Sequence, residues 1–471
     1  MRFVETLNKE RQFYRKVVTV ALPLMAQNLI SASLNIIDSV MVARLGEIEL
    51  ATIGLATLFH FVFWMIVFGF TSGAITYMAQ FWGSKDLASF RKVGGIAFAV
   101  CFCLGLIFFS ATLFIPRSVL LIFTNIPEVI RTGIPFLKVT SMIFIIWSVT
   151  IPLQAMLKAS QQTRILLIIS GIVFSLNTFL GFVFIFGKFG MPRLGLMGAV
   201  TGVLISRVIE VSLYLIIIFG RKNVIAGPLR GFFAWNKVLF VKVIKNSGFT
   251  TINESAWGIG TSLYSAAYGR ISATAFAAFQ ASQTVVNLFS MACFSLSDAM
   301  LIMVGEKLGE GDLDGARRDA NRLLKMTMAI SVLAGVLLFV TSGHITTLFK
   351  LSPLGASYTK YILAIYSAIL LVKVLNASLI AGILRAGGDT RFPMITEALC
   401  VWLIGVPLAF LGSVYLRLPI YLAFLLVQTE EIVKGIICFS RFLKKKWIRN
   451  LVSDVPVGIG NTQYPLEPEK F

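Results

Sequence analysis

Apolar runs of about twenty residues or more follow one another along the chain, separated by short polar segments. A helix rises 1.5 Å per residue, so such a run crosses roughly 30 Å of hydrocarbon. Twelve runs can be drawn, at 17–43, 49–81, 93–115, 130–156, 165–187, 195–219, 247–269, 274–304, 323–349, 357–383, 393–414 and 419–442. Strand-like alternation is weak, and a membrane barrel would need lumen-facing polar residues that these runs lack. The pattern predicts an all-α integral membrane protein with about twelve transmembrane helices.

Composition points the same way. Of the 471 residues, 57% are hydrophobic and only 14% charged, whereas a soluble domain carries about 25% charged residues. There is too little polar surface here to cover a soluble fold of this length. Cys101, Cys103, Cys293, Cys400 and Cys438 all fall inside apolar runs, with neither disulfide nor zinc spacing, and read as packing residues. The first sixteen residues, MRFVETLNKERQFYRK, are polar and basic, unlike a cleavable signal.

Charge sorts the connections into two sets. Alternate segments, beginning with the N-terminus and including 220–246, hold 28 Lys and Arg residues. The opposite set holds ten: Arg44, Arg117, Arg131, Lys138, Lys188, Arg193, Arg270, Lys350, Lys360 and Arg417. The positive-inside rule then places both termini in the cytoplasm of a multi-pass protein of the cell inner membrane. The same asymmetry accounts for the formal net charge of +20. Seven short juxtamembrane segments carry it, so the expected partner is the anionic lipid bilayer and not nucleic acid.

The chain repeats itself. QFWGSKDLASFR (80–91) aligns with EKLGEGDLDGAR (306–317), pairing Gly83 with Gly309, Asp86 with Asp312, Leu87 with Leu313 and Arg91 with Arg317. LKASQQTR (157–164) aligns with LRAGGDTR (384–391) at nearly the same offset, and Arg44 with Arg270. Six spans therefore map onto six of the same sidedness, a plan that recurs in transporters with a central cavity between two halves. The expected organisation is an N-terminal segment 1–16, an N-lobe 17–219, a linker 220–246, a C-lobe 247–442 and a polar tail 443–471.

Several stretches resemble the multidrug and toxic compound extrusion (MATE) transporters. They are PLMAQNLISASLNIIDSVMVARLGEIELATIGLA in the first span and its exit, NESAWGIGTSLYSAAYGRI in the seventh, GILRAGGDTRF before the eleventh, and VKGIICFSRFLKKKWIRNL at the end. The resemblance covers nearly the whole chain and is closest to the bacterial branch with Asn-Glu in the seventh span. It implies an exporter with two six-helix lobes around a central cavity. Such a protein exchanges small amphiphilic, cationic organic substrates for inward-moving Na⁺ or H⁺, as a monomer and with no other cofactor. It also implies an N-lobe cation site, onto which Asp38 and Asn177 map. The family's second acid falls at Gly181, which leaves Na⁺ and proton coupling both open.

Ionisable residues inside spans are costly, and each is a functional candidate. Arg207 and Glu210 lie three apart, as do Glu431 and Lys434, while Glu430 and Lys434 lie four apart; helical pairing accounts for all of these. Asp38 has no local partner and lies about 30 Å along its helix from the inner end. Glu254 follows Asn253 with nothing local to neutralise it, and Glu397 lies just after the GGD turn. Lys373 is a candidate partner for either carboxylate. The expected coupling residues are thus Asp38, Asn177, Glu254 and Glu397, with Na⁺ held at Asp38 and Asn177 or at Glu254. Gln27, Asn28, Asn35, Gln280, Gln283, Asn287, Asn376 and Lys373 are candidates for the cavity lining, with interhelical hydrogen bonding the alternative for each amide.

A flippase for a lipid-linked substrate shares the general architecture and is the competing reading. It calls for a cationic cavity, whereas the buried charges without partners here are mainly acidic. An enzyme is excluded on chemistry: His60 and His344 are the only histidines, and neither has spaced ligands. Glycine-rich nucleotide loops are absent as well.

Overall fold

The computed structural model describes residues 2–43, 45, 47–348 and 351–453. Arg44, Lys350 and the tail beyond 453 lie outside the described residues, as do the side chains of Arg2, Lys9 and Asn35. Twelve long helices run through the described chain. They are α1 (Arg2–Ala43), α2 (Glu47–Gly83), α3 (Leu87–Phe114), α4 (Pro127–Ala159), α5 (Thr163–Phe186) and α6 (Leu196–Gly220), followed by α7 (Lys237–Gly269), α8 (Ala273–Gly309), α9 (Leu313–Leu348), α10 (Pro353–Leu384), α11 (Arg391–Tyr415) and α12 (Ile420–Leu443). Ten of them are long and apolar enough to cross a membrane. The remaining two are α7, which carries Asn253 and Glu254, and α12, which carries Glu430, Glu431 and Lys434.

Helix ends extend beyond the apolar runs. Backbone hydrogen bonding continues wherever side chains permit, so α1 begins at Arg2 and α7 at Lys237, before the apolar sequence starts. Three helices widen locally to i→i+5 hydrogen bonding: the end of α6, Ser378–Leu384 in α10, and two stretches of α11. Such widening rotates the succeeding turns away from the path of a straight helix, and Arg385 comes directly after the α10 segment.

The twelve helices form two six-helix lobes, and their packing repeats. In the N-lobe α1 packs on α5, α2 on α4, α3 on α4 and α4 on α6. In the C-lobe the corresponding pairs are α7 on α11, α8 on α10, α9 on α10 and α10 on α12. The turns repeat as well. Lys85 and Gly311, which the repeat aligns, both have positive φ (60° and 80°). The next residue of each turn caps the following helix: Asp86 accepts from Ser89 N at 2.9 Å and Asp312 from Gly315 N at 2.8 Å.

The lobes meet through α1, α2, α7 and α8. At the face where α1 begins and α12 ends, termed here the terminal face, α2 and α8 touch backbone to backbone. A Cβ on Gly83 would stand 2.0 Å from Glu306 O, and one on Gly309 would stand 1.9 Å from Gln80 O. These contacts are reciprocal, since the repeat aligns Glu306 with Gln80 and Gly309 with Gly83. A pseudo-two-fold axis therefore passes between the two helix ends. Small residues allow this approach, as in other membrane helix pairs.

Interlobe hydrogen bonds concentrate toward the same face. Asn246 Nδ2 donates to Gly73 O (2.9 Å), Thr250 Oγ1 to Gly69 O (2.6 Å) and Asn28 Nδ2 to Ser295 Oγ (2.8 Å). Lys16 and Glu306 form an ion pair, and Gln161 Nε2 donates to the same carboxylate at 2.6 Å. The chain after α12 crosses the seam, with Trp447 buried. Gln80 of α2 donates to Ala386 O (2.8 Å) and Arg449 O (3.2 Å), and its Oε1 accepts from Leu451 N (2.7 Å). The two lobes are thus held against each other on the terminal face.

Candidate functional site

The N-lobe candidates come together. Asn177, buried on α5, donates through Nδ2 to Asp38 Oδ1 at 3.1 Å and to Oδ2 at 3.2 Å, joining α1 to α5. Close packing positions them. Gly181 lies one turn beyond Asn177, where a Cβ would meet Met41 of α1 at 2.9 Å, and a Cβ on Gly202 of α6 would meet Gly181 N at 2.9 Å. An acid at 181 would need space that these neighbours fill. Arg207 is committed elsewhere. It pairs with Glu210 at 2.6 Å and stacks over Trp147 at 5.6 Å, while Gln154 Nε2 donates to the same carboxylate at 3.2 Å. Asp38 itself forms no ion pair among the described residues.

The C-lobe differs from expectation at Glu254. Arg385, 2% exposed, pairs through Nη2 with Glu254 Oε1 at 2.8 Å, and its Nη1 donates to Ser72 Oγ of α2 at 2.6 Å. Glu254 is therefore neutralised by a residue far along the chain, and this guanidinium also binds the N-lobe. A Na⁺ ion at Glu254 would sit beside a fixed positive charge, so the geometry does not fit that placement. Lys373 does not reach Glu254 or Glu397. It lies 3.7 Å from Glu431 Oε1 and 5.1 Å over the Tyr366 ring.

Glu397 belongs to a larger network between α7, α10, α11 and α12. Lys434, 2% exposed, is its centre, at 3.4 Å from Glu397 Oε1, 2.8 Å from Glu430 Oε1 and 3.3 Å from Glu431 Oε2. Each carboxylate has a second donor. Asn253 Nδ2 donates to Glu397 at 2.7 Å, Tyr264 OH to Glu430 at 2.7 Å and Asn376 Nδ2 to Glu431 at 2.7 Å. Three carboxylates face two lysines, a formal excess of one negative charge.

The other candidates disperse. Gln27 is buried with its Oε1 unpartnered, and Asn28 is used in the interlobe bond to Ser295. Gln283 accepts a hydrogen bond from Tyr366, and Asn376 holds Glu431, so both belong to interhelical packing. Gln280 and Asn287 are exposed on the stripe of α8 that includes Thr284. His60 stacks on Phe144 at 4.9 Å, with Nδ1 2.7 Å from Ala56 O, as a core residue does.

Two residues were missed by sequence reasoning. Arg385 was counted as a loop charge, yet it is the repeat counterpart of Lys158. The repeat was the available signal, because the two make equivalent contacts. Lys158 pairs with Asp298 at 3.2 Å, and Arg385 bonds Ser72, the residue that the repeat aligns with Asp298. Lys434 was read as a local helical partner. Its tie to Glu397 carries no sequence signal.

The MatE family pattern matches residues 23–183 and 247–411, one stretch in each lobe and well over half of the chain. The chain belongs to the MatE family. Its members are transporters, not enzymes. Among curated proteins it is 24% identical to "Probable multidrug resistance protein NorM" of Thermotoga maritima, over 96% of this chain and 97% of that protein. Among solved structures, two share its fold with a TM-score of 0.83, covering 91% of this chain and 95% of theirs. One is a MATE protein in the straight conformation (15% identity), and the other is the outward-facing conformation of a multidrug resistance MATE family transporter (16%).

Proposed function

We propose that this MatE protein is a secondary active exporter of small amphiphilic organic cations. Each is exchanged for inward-moving Na⁺ or H⁺ as the two lobes, 17–219 and 247–442, alternate about the seam beneath the cavity. The observation that carries the coupling is Asp38, a carboxylate inside the N-lobe held by Asn177 and forming no ion pair among the described residues. A coupling ion must bind one orientation better than the other, or it shifts nothing. A half-buried acid between α1 and α5 supplies that difference if its surroundings change as the lobes move. Asp38 and Asn177 fit a proton or a weakly held Na⁺. Among the described residues no further acid joins them, and a dehydrated Na⁺ prefers several oxygens.

Charge supports a cationic substrate. Buried or half-buried in the two lobes are six carboxylates (Asp38, Glu210, Glu254, Glu397, Glu430 and Glu431) against four cations (Arg207, Lys373, Arg385 and Lys434). The name of the Thermotoga maritima relative supports multidrug efflux. The basic terminal face is the cytoplasmic one under the positive-inside rule, and the chain works as a monomer in the inner membrane, with 220–246 joining the lobes.

The test uses purified protein in liposomes, with a fluorescent organic cation and Na⁺ and proton gradients imposed separately. One gradient drives cation movement, and Asp38→Asn abolishes it while insertion and folding persist. Gradient-driven movement in Asp38→Asn at the wild-type rate would remove Asp38 from the mechanism.

A further inference from the structure

The terminal face holds two basic cavities that transport through the central cavity does not use. The first, about 520 Å³, lies among α2, α7, α11, α12 and the segment after α12. Five cations line it: Lys242, Lys245, Arg391, Arg441 and Arg449. Asp389 is its one acid and is taken by Arg441 through two bonds, at 2.7 and 3.1 Å. The formal charge of the lining is +4. The second cavity, about 950 Å³, lies where α1 meets the start of α5 and is lined by Arg11, Arg15 and Arg164 with no acid.

The repeat relates these cavities. The offset that aligns Lys158 with Arg385 also aligns Arg15, Val18, Thr19 and Arg164 of the second cavity with Lys242, Lys245, Asn246 and Arg391 of the first. The structural bond behind each is also paired. Thr163 Oγ1 donates to Thr19 O at 3.1 Å, and Thr390 Oγ1 donates to Asn246 Oδ1 at 2.9 Å. A loose surface groove would not recur in both halves with cations at two matched positions.

We infer that each cavity binds a phosphate group, presented by an anionic phospholipid of the leaflet on the terminal face. Converging Lys and Arg side chains suit a phosphodiester, and Arg binds phosphate in a fork. Basic pockets between membrane helices are known to hold lipid headgroups. The volumes suit a headgroup and not a bare ion. The rims are apolar and exposed, with Ile395 (40%) at the first cavity and Tyr14 (52%) and Val18 (57%) at the second, so an acyl chain has a surface to follow. The first cavity includes Tyr77 of the N-lobe and Arg449 of the segment that crosses the seam. A lipid there joins both lobes in the arrangement closed on the terminal face.

The test is native mass spectrometry of the full chain in detergent, titrated with phosphatidylglycerol, with phosphatidylcholine of the same acyl chains, and with inorganic phosphate. Phosphatidylglycerol should remain bound at two sites that phosphatidylcholine does not fill. Lys245→Gln with Arg391→Gln should empty one site, and Arg15→Gln with Arg164→Gln the other, each weakening retention about thirty-fold for two cations removed. Charge-conserving Lys245→Arg with Arg391→Lys should keep the first, which separates lost charge from lost folding. Inorganic phosphate retained at the same two sites, and lost in the same variants, would still support the phosphate site and assign its source to the free anion. Equal retention of the two lipids, or retention unchanged by both glutamine pairs, overturns the proposal.

Discussion

The closest contact between the lobes yields the sharpest prediction. Gly83→Ala places a methyl 2.0 Å from Glu306 O, and Gly309→Ala places one 1.9 Å from Gln80 O. Real Cβ atoms essentially never come within 3.0 Å of another heavy atom, so α2 and α8 must separate by about 1 Å at this end. The obstacle in each case is a backbone carbonyl within a helix, which cannot rotate away as a side chain could. Overpacking of this kind costs about 1–3 kcal/mol. The strain exists only while the terminal face is closed, so it acts on the balance between the two orientations. The corresponding shift is about 5- to 150-fold toward opening on the terminal face. The assay is distance measurement between spin labels on the far face, at Met191 of the N-lobe and Leu354 of the C-lobe, both exposed, after replacing the exposed Cys103. Each variant should move population to a shorter far-face distance. Because the two contacts are related by the repeat, the shifts should be similar in size. Wild-type distance distributions in both variants, or a response in one alone, would refute the reasoning.

Two further outcomes concern the buried polar groups. Lys434→Met should cost about 3–5 kcal/mol of stability, because it leaves Glu397, Glu430 and Glu431 with only Lys373 nearby; a melting curve in detergent equal to wild type would contradict this. Gln80→Ala removes two hydrogen bonds that tie the segment after α12 to α2, at Arg449 O and Leu451 N, each worth about 1 kcal/mol, so trypsin should cut after Arg449 several-fold faster, and an unchanged cleavage rate would show that Trp447 alone anchors the segment.

The helices were legible because lipid enforces them. A spanning segment must satisfy its own backbone, so apolar length alone marks each run. Their ends were less legible. Lys237–Lys245 is helical although it carries three lysines, since nothing at the membrane surface stops the backbone bonds. The repeat was legible and carried more than topology. The offset that aligned Gly83 with Gly309 also pairs the contacts each makes. The C-lobe network resisted reading because its decisive ties, Arg385 to Glu254 and Lys434 to Glu397, join segments on different helices. Local spacing gave Lys434 its partners on α12 and could give no more. The pairing of Asp38 with Asn177 came from family resemblance, since no local spacing connects α1 with α5.

The distribution of symmetry within the molecule separates scaffold from mechanism. On the terminal face equivalent residues do equivalent work: Gly83 and Gly309, Asp86 and Asp312, Lys158 and Arg385. The proposed rocking of the two lobes about a common seam would require matched surfaces there. Inside the lobes the equivalence breaks. The repeat aligns Asp38 with Tyr264, which donates to Glu430, and it aligns Glu254 with Asn28, which bonds Ser295. The C-lobe carboxylates are each held by a buried cation, whereas Asp38 is held only by an amide among the described residues. A buried acid already paired with a cation gains little from a further positive charge, while an acid held by an amide gains a full unit of neutralisation. Under the exchange we propose, ion coupling is therefore expected where the repeat is broken and the carboxylate forms no ion pair, which is the N-lobe.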